Sequence, residues 1–170
     1  IAVSGSFKGT LIHGYVKNAS GKLVNLLTDV VVETFTTDIT GKYDLATAID
    51  DLPAIFKIEF QNGTGIDVST NKTINFTMKI VMTKEHAKSL GSKRVPLTPI
   101  TTLAAENIEP EIETIKNTMS TEEKIEPTEV QLALIETKRT TEITNISDSL
   151  GITTSDIEVD FIADKKFDVA

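Results

Sequence analysis

The sequence contains no cysteine and no tryptophan, and aromatic residues make up only 5% of it. Without cysteine, the chain can form no disulfide, no thiolate nucleophile and no cysteine-ligated zinc site. No apolar run approaches the roughly 18–20 residues that a helix needs to cross a bilayer. The sequence also lacks a phosphate loop, a dinucleotide fingerprint and a nucleophile elbow. We therefore expect no enzymatic activity, no cofactor and no membrane span.

Basic residues are scarce in the second half of the chain, and the net charge is -8. Residues 1–98 hold 11 basic and 9 acidic side chains, whereas residues 99–170 hold 6 basic and 16 acidic ones. Binding to nucleic acid or to an anionic membrane surface needs Lys and Arg side chains that neutralise phosphate. The acidic half lacks them, so we interpret it as a solvated helix surface and expect no nucleic-acid partner.

The first half of the chain alternates short apolar segments with turn signals. Phe56, Ile58 and Phe60 alternate with charged residues, which is the period of a strand with one buried face. In the clearest turn, we expect the Asp38 carboxylate to accept backbone amides and Gly41 to take a positive φ. Candidate strands lie over residues 1–7, 11–16, 23–27, 30–37, 43–45, 56–60 and 74–82. This pattern predicts an antiparallel β-sandwich of about seven strands over residues 1–95, with the apolar strand 74–82 in a central position.

Helix signals dominate the second half. A short helix is expected over residues 101–108, and Pro110 is placed to open the next one at its first turn. Ser120-Thr121-Glu122-Glu123 has the pattern of a capping box. The longest candidate helix covers residues 128–150 and ends at Gly151, with a possible break near residue 140 where β-branched residues accumulate.

The end of the chain alternates again, with Ile157, Val159 and Phe161 against acidic residues. A final short strand and a loop are equally compatible with this pattern. Residues 96–170 are therefore predicted to be a helical appendage with a possible short terminal strand. The fold class expected for the whole chain is α+β.

Several short motifs, in order, resemble the carboxypeptidase-regulatory-like module, a prealbumin-like β-sandwich of prokaryotic surface and adhesin-type proteins. In the first half they are Val3-Ser4-Gly5, His13-Gly14-Tyr15-Val16, residues 37–45 (TDITGKYDL) and residues 65–70 (GIDVST). Some such proteins continue with a Pro-Leu-Thr-Thr-Leu element, then helices, a Leu-Gly dipeptide and an Asp-Pro-Ile-Ala-like segment. Here those places hold Pro99-Ile100-Thr101-Thr102-Leu103, Leu150-Gly151 and Asp160-Phe161-Ile162-Ala163. The resemblance implies a non-catalytic structural module that is secreted or displayed at the cell surface.

Titratable residues do not form a recognisable site in the sequence. His13 and His86 have no second histidine or carboxylate at ligand spacing, so both are interpreted as structural. The best carboxylate groups are Asp50-Asp51 and the set Asp148, Asp156 and Asp160. Neither has the alternating oxygen ligands and central glycine of a calcium loop, and Ca²⁺ in a loop of the sandwich is a minor alternative.

Five asparagines occur in Asn-X-Ser/Thr sequons, which are acceptors for glycosylation when they are exposed. They are Asn18, Asn62, Asn71, Asn75 and Asn145. Asn18 and Asn62 fall in predicted turns, whereas Asn75 falls inside a predicted strand. Glycosylation at these positions is a hypothesis.

An intramolecular isopeptide bond is a second possible modification, since such bonds occur in related adhesin sandwiches. It needs a lysine, an asparagine and a buried carboxylate together. Lys8 or Lys17, with Asn75 and either Glu33 or Glu59, could supply them, but ordinary exposed lysines are the favoured interpretation.

Two functions fit this architecture. The first is a structural subunit that assembles with copies of itself into an extracellular filament or fibre by β-strand addition, because open sheet edges are templates for another strand. The segment with Ile1, Val3, Gly5 and Phe7 is short, uncharged and alternating, as an added strand should be, although it could equally be the first strand of its own sandwich. The C-terminal residues 157–170 could do the same. The second function is an adhesive or spacer module of a larger surface protein that recognises a glycan or a host protein.

Overall fold

The protein has a mixed α+β fold in a computed structural model that describes residues 6–13, 15–91 and 93–153. These residues form ten strands in three sheets and four α-helices. The strands are β1 (Ser6–Leu11), β2 (Val16–Lys17), β3 (Ser20–Asn25), β4 (Val31–Thr36), β5 (Lys42–Ala48), β6 (Ile55–Phe60), β7 (Ile66–Asp67), β8 (Lys72–Thr73), β9 (Met78–Thr83) and β10 (Val95–Leu97). The helices are α1 (Lys84–Leu90), α2 (Pro99–Lys116), α3 (Thr121–Ile125) and α4 (Glu129–Leu150), and a 3₁₀ turn covers Ile49–Asp51.

The largest sheet is antiparallel and has the strand order β4-β3-β6-β9. A second sheet has the order β10-β1-β5, and a small third sheet has the order β2-β7-β8. The expectation of about seven antiparallel strands is wrong in two respects. Three strands of the small sheet have only two residues each, and β10 lies parallel to β1, with Gly9 opposite Val95. Such short pairings leave no periodic signal in the sequence.

One hydrophobic cluster joins the two larger sheets. Phe56, Ile58 and Phe60 of β6 face it, as the alternation in the sequence predicts. The facing sheet contributes Phe7 and Leu45, which lie in β1 and β5. Burial of each such side chain contributes about 1.5–3 kcal/mol to folding.

A second cluster covers the opposite face of the four-stranded sheet. Ile55 and Val81 point to this face and pack with Ile108 of α2 and with Ile135 and Ile146 of α4. The helices therefore share a hydrophobic core with the four-stranded sheet.

Strand β9 lies at the edge of its sheet and not at the centre, so the predicted central position is wrong. All six of its residues are nevertheless buried. Its sequence is apolar because α2 and α4 bury one face of the strand and the first hydrophobic cluster buries the other.

The helix ends follow the sequence signals, but the helix interiors differ from them. The capping box at Ser120 is confirmed, and Gly151 ends α4 with a φ of 69°. Helix α2 continues through Pro110, which was expected to start a new helix. Pro110 and Glu106 are both exposed, so water can satisfy the carbonyl that loses its helical partner. Helix α4 is continuous, so the possible break near residue 140 is absent. Among the described residues, no helix is long and apolar enough to cross a membrane.

Candidate functional site

Strand β4 forms one edge of the four-stranded sheet and carries an exposed apolar segment. Val30, which precedes the strand, is 57% exposed, and Val31 and Val32 within it are 47% and 42% exposed. Edge strands are usually protected from unwanted pairing by lysine, by proline or by a covering element. The sequence of β4, VVETFT, contains neither lysine nor proline. This strand therefore has the properties of a surface that pairs with another strand.

The only charge in β4, Glu33, is bound to the neighbouring strand β5. Its carboxylate accepts hydrogen bonds from the backbone amides of Ala46 at 2.6 Å and Thr47 at 2.9 Å, and from the Thr47 hydroxyl at 2.7 Å. Two successive amides are free because the pairing of β5 with β1 is irregular at this point. Partial burial raises the pKa of Glu33, but these hydrogen bonds outweigh it, and the pKa lies below its usual value. The Glu33 carboxylate therefore closes a bulge in β5 and joins β4 to β5.

The opposite edge of the same sheet, β9, is closed by side chains from two helices. The Lys79 amide donates to Thr102 Oγ1 at 3.0 Å, and Thr101 Oγ1 donates to the Lys79 carbonyl at 3.2 Å. Further along, Arg139 Nε donates to the Val81 carbonyl at 3.2 Å. These groups replace a neighbouring strand, so β9 is not available for pairing.

The second sheet has its own edge protection. Its outer strand β10 contains Pro96, which has no amide hydrogen to offer a partner. Next to it, Arg94 donates to the Gly9 carbonyl at 2.6 Å and to Asp44 Oδ1 at 2.9 Å, and so ties this edge to β1 and β5. The other outer strand, β5, is bridged by Glu33. Strand β4 is joined to β5 by Glu33, and it differs from all three in its exposed valines and in its lack of lysine and proline.

A cluster of charges around the buried Lys79 lies between the four-stranded sheet and α2. Lys79 Nζ is 3.3 Å from Glu106 Oε1 and 3.2 Å from Glu109 Oε1, and Lys57 Nζ is 2.9 Å from Glu59 Oε2. Burial lowers the pKa of Lys79, but the carboxylates of Glu109 and Glu106 outweigh it and the net shift is upward. Each of these groups faces an opposite charge, so the cluster joins two elements and holds no free acid or base.

His13 has a carboxylate partner that its spacing in the sequence did not indicate. His13 Nδ1 is 3.4 Å from Asp67 Oδ2, and the rings of His13 and Phe76 pack edge to face at 5.2 Å. The partner lies 54 positions away, so sequence spacing gave no sign of it. Ser69 donates its amide and its hydroxyl to Asp67 Oδ1 at 2.8 and 2.6 Å. Burial raises the pKa of Asp67, and the bonds from Ser69 and His13 lower it below its usual value.

This group differs from a catalytic triad. In a triad the histidine lies between the nucleophile and the carboxylate. Here Asp67 lies in the middle and binds both Ser69 and His13, so the serine hydroxyl donates to a carboxylate and is not activated. The cluster holds the β1–β2 turn against β7.

The remaining candidate residues have separate locations. His86 lies in α1, and its amide donates to Thr83 Oγ1 at 3.2 Å. Asp50 Oδ1 is 3.8 Å from Lys88 Nζ, and Asp148 is exposed near the end of α4. Asp156 and Asp160 lie outside the described residues. Within the described ranges, no group of three or more His, Cys, Asp or Glu residues could hold a metal ion.

All five sequon asparagines are exposed: Asn18, Asn62, Asn71, Asn75 and Asn145. Asn75 precedes β9, so its expected position inside a strand is wrong. The apolar residues of the segment 74–82 begin four positions before β9. The first of them, Ile74, lies in a loop, but its side chain is buried in the core. Asn145 lies on α4.

Of the residues predicted to donate a strand, Phe7 is described by the structure and Ile1, Val3 and Gly5 lie outside it. Phe7 is buried in β1 and packs edge to face on Phe56 with ring centroids 6.0 Å apart. It belongs to the core of its own chain.

The carboxylates considered for an isopeptide bond have other partners. Glu59 forms ion pairs with Lys22 and Lys57, and Glu33 binds β5. Neither Lys8 nor Lys17 is the lysine beside Glu59.

Sequence reasoning did not single out β4, although its run of three valines without lysine was a usable signal. Which strand lies at an edge depends on long-range pairing, and the run alone does not reveal it. Comparison with known proteins found no match, either among protein-family models, among curated proteins or among solved structures.

Proposed function

We propose that this protein is a non-enzymatic structural subunit of an extracellular or cell-surface filament or fibre, in which β4 of one copy accepts a strand from another copy. We further propose that its two larger sheets form a β-sandwich of the carboxypeptidase-regulatory-like type. The observation that carries the assembly proposal is the position of β4 at a sheet edge, with exposed valines and without lysine or proline. The shared cluster between the two larger sheets supports the sandwich.

The chemistry of β4 suits a strand from a second copy. An added strand satisfies the backbone amides and carbonyls along the edge, and its side chains pack beside the exposed valines. Six paired residues span about 20 Å, which is the length of an ordinary strand. We do not expect Glu33 to repel the incoming strand, because its carboxylate already accepts hydrogen bonds from the backbone amides of β5.

The donor that we propose is the uncharged segment with Ile1, Val3 and Gly5 of the second copy. The C-terminal alternative, residues 157–170, carries Glu158, Asp160 and Asp164 and is less suited to an apolar edge. Phe7 stays in its own β1 and anchors the segment to the donor's core. A contact of this kind is heterologous, and repetition gives a filament when its rotation does not close.

The buried polar groups support a role without catalysis. Lys116 pairs with Asp29 and Glu113, and Arg139 bonds to the Val81 carbonyl. With the Lys79 cluster, these groups attach helices to the four-stranded sheet.

Assembly is tested with Val32→Lys, which places a charge on the edge of β4. Val130→Lys is the control, because Val130 is an exposed valine on α4, away from β4. In sedimentation velocity and negative-stain microscopy, we expect concentration-dependent polymers for the wild type and for Val130→Lys, and monomers for Val32→Lys with unchanged circular dichroism. A monomeric wild type, or a Val32→Lys variant that polymerises normally, contradicts the proposal.

Removal of residues 1–5 tests the donor separately. We expect the truncated chain to fold and stay monomeric. Mixed with wild type, it should accept a wild-type strand at its β4 but donate none. Polymers that form unchanged without residues 1–5 rule out this donor. A wild type that is monomeric but binds a glycan or a host protein favours the adhesive module instead.

A further inference from the structure

Four of the five sequon asparagines gather at one end of the four-stranded sheet. At this end β3 begins, β6 ends and β9 begins, since Gly21 pairs with Phe60 and Phe60 pairs with Met78. We call the connecting segments there the loop end: residues 18–20, 61–65 and 71–77. They contain Asn18, Asn62, Asn71 and Asn75.

Direct hydrogen bonds join these segments to one another. The Ser20 amide donates to Thr64 Oγ1 at 3.1 Å. The Gly63 amide donates to the Ile74 carbonyl at 2.7 Å, and the Ile74 amide donates to the Gly65 carbonyl at 2.8 Å. The loop end is therefore a single bonded surface, although its sequons are spread over 58 positions of the sequence.

The side-chain amides at the loop end have no structural task. All four asparagines are exposed, and within the described residues none of their side chains makes a hydrogen bond. Asn25, which is not in a sequon, contrasts with them, because its Oδ1 accepts from the amides of Leu27 and Thr28 at 2.9 and 3.2 Å. An exposed amide without a partner is available for modification.

Backbone geometry explains two of the four asparagines. Asn18 and Asn71 have φ values of 59° and 58°, a region that asparagine tolerates better than most residues. Asn62 and Asn75 are not among the residues with positive φ, so a left-handed backbone does not account for them. The case for modification is therefore strongest at Asn62 and Asn75.

A neighbouring aromatic side chain adds to this case. Phe76 is 40% exposed, although it is large and apolar, and it follows Asn75 directly. The sequon at Asn75 is thus part of an exposed segment that also carries an apolar ring.

The fifth sequon has a different environment. Asn145 lies within α4, and Ser147 of the same sequon is 1% exposed and donates its hydroxyl to the Ile143 carbonyl at 2.8 Å. The helix fixes this sequon and buries its hydroxyl. It serves as an internal control.

We propose that Asn62 and Asn75 carry N-linked glycans. In the reaction the amide nitrogen of asparagine forms a bond to the anomeric carbon of a lipid-pyrophosphate-linked oligosaccharide. The bond from that carbon to the phosphate oxygen breaks, the lipid pyrophosphate leaves, and the amide gives up one proton. A glycosyltransferase of the producing cell catalyses the step, and this chain supplies only the acceptors.

Glycans at the loop end are compatible with assembly through β4. Thr36 of β4 pairs with Ser20 near the loop end, whereas Val31 pairs with Val24 toward the opposite end of the sheet. The exposed valines therefore lie at the end away from the glycans. The glycan proposal rests on the extracellular location in the proposed function, but not on assembly through β4.

The test uses the full chain isolated from its native source. Peptide N-glycosidase in heavy-oxygen water converts each glycosylated asparagine into labelled aspartate, which peptide mapping then locates. We expect the label at Asn62 and Asn75 and none at Asn145, with an intact mass above that of the polypeptide. A native mass equal to the bare polypeptide, or label at other sequons without Asn62 and Asn75, overturns the proposal.

Variants made in the same cells check the assignment. Asn62→Gln and Asn75→Gln should each remove the mass of one glycan. Asn107→Gln, at an exposed asparagine outside any sequon, should leave the mass of the attached glycans unchanged. A variant at Asn62 or Asn75 that keeps all the glycan mass contradicts the assignment at that position.

Discussion

The ring of Tyr43 lies directly over the backbone of Gly9, its partner in the pairing of β1 with β5. A Cβ atom at Gly9 would come within 2.2 Å of Cζ of the tyrosine ring. The same ring stacks on Phe35 at 5.2 Å and meets Phe60 edge to face at 5.1 Å. Gly9 thus provides the space in which an aromatic cluster forms between the two larger sheets.

We predict that Gly9→Ala destabilises the protein by about 1–3 kcal/mol, because the added methyl group displaces the Tyr43 ring. Urea denaturation followed by far-UV circular dichroism measures the change. In a Tyr43→Leu background the same substitution should cost less, since the ring is gone. An equal cost in both backgrounds would show that the backbone, and not Tyr43, requires glycine.

Tyr43→Phe tests the hydroxyl of the same ring. This hydroxyl is buried and has no hydrogen-bond partner among the described residues, and burial raises the pKa of Tyr43. Removal of a buried unpaired polar group is expected to be neutral or to stabilise by up to about 1 kcal/mol. The midpoint of thermal unfolding should stay constant or rise. A clear decrease would indicate a partner for the hydroxyl.

Local chemistry made part of this fold predictable. In the turn before β5, Asp38 Oδ1 accepts the amides of Thr40 and Lys42 at 2.8 and 3.0 Å, and Gly41 has a φ of 79°. The capping box at Ser120 and the stop at Gly151 were likewise readable. Each of these features is decided within a few residues, so the sequence contains the whole signal.

Features decided by distant residues were not predictable. Strand β9 looked central because its residues are apolar, but that pattern came from cover by α2 and α4. Helix α2 passes through Pro110 because packing of Ile108 and Ile112 on the sheet outweighs one lost hydrogen bond. The pairing of His13 with Asp67 has the same origin, since only the fold brings the two together.

Glu33→Gln should weaken the contact between β4 and β5. Three hydrogen bonds to the carboxylate are lost or become weaker, and we expect a loss of about 1–2 kcal/mol at neutral pH. The pKa of Glu33 is lower in the folded state than in the unfolded chain. Its stabilising effect is therefore fully present above the unfolded pKa and disappears as the pH falls through the folded value.

The pH series distinguishes this mechanism from a general effect of the substitution. The difference in unfolding free energy between wild type and Glu33→Gln should shrink as the pH falls below about 4.3, the usual glutamate value. Glu85→Gln is the control, because the Glu85 side chain is 79% exposed. A difference that stays constant with pH would mean that the charge on Glu33 has no part in the contact.

Thr102→Val removes the hydroxyl that accepts the Lys79 amide at the closed edge of the sheet. Valine has nearly the same shape, so the loss of about 1 kcal/mol expected for one hydrogen bond can be assigned to the hydroxyl. Hydrogen exchange of the Lys79 amide should become faster than that of other β9 amides. Thr114→Val, at an exposed threonine of the same helix, should leave β9 exchange unchanged.

Arg139 attaches α4 to the same edge. Its side chain is buried, and Nε donates to the Val81 carbonyl at 3.2 Å while a terminal nitrogen is 3.4 Å from Glu136 Oε1. Lysine lacks the Nε donor and the planar fork, so Arg139→Lys should cost about 1–3 kcal/mol. The amides of α4 should exchange faster as the helix loosens from β9. Lys138→Met, at the half-buried neighbouring residue that pairs with Glu111 and does not contact β9 through a hydrogen bond, should change neither quantity by a comparable amount. An equal effect of the two variants would contradict an anchoring role for Arg139.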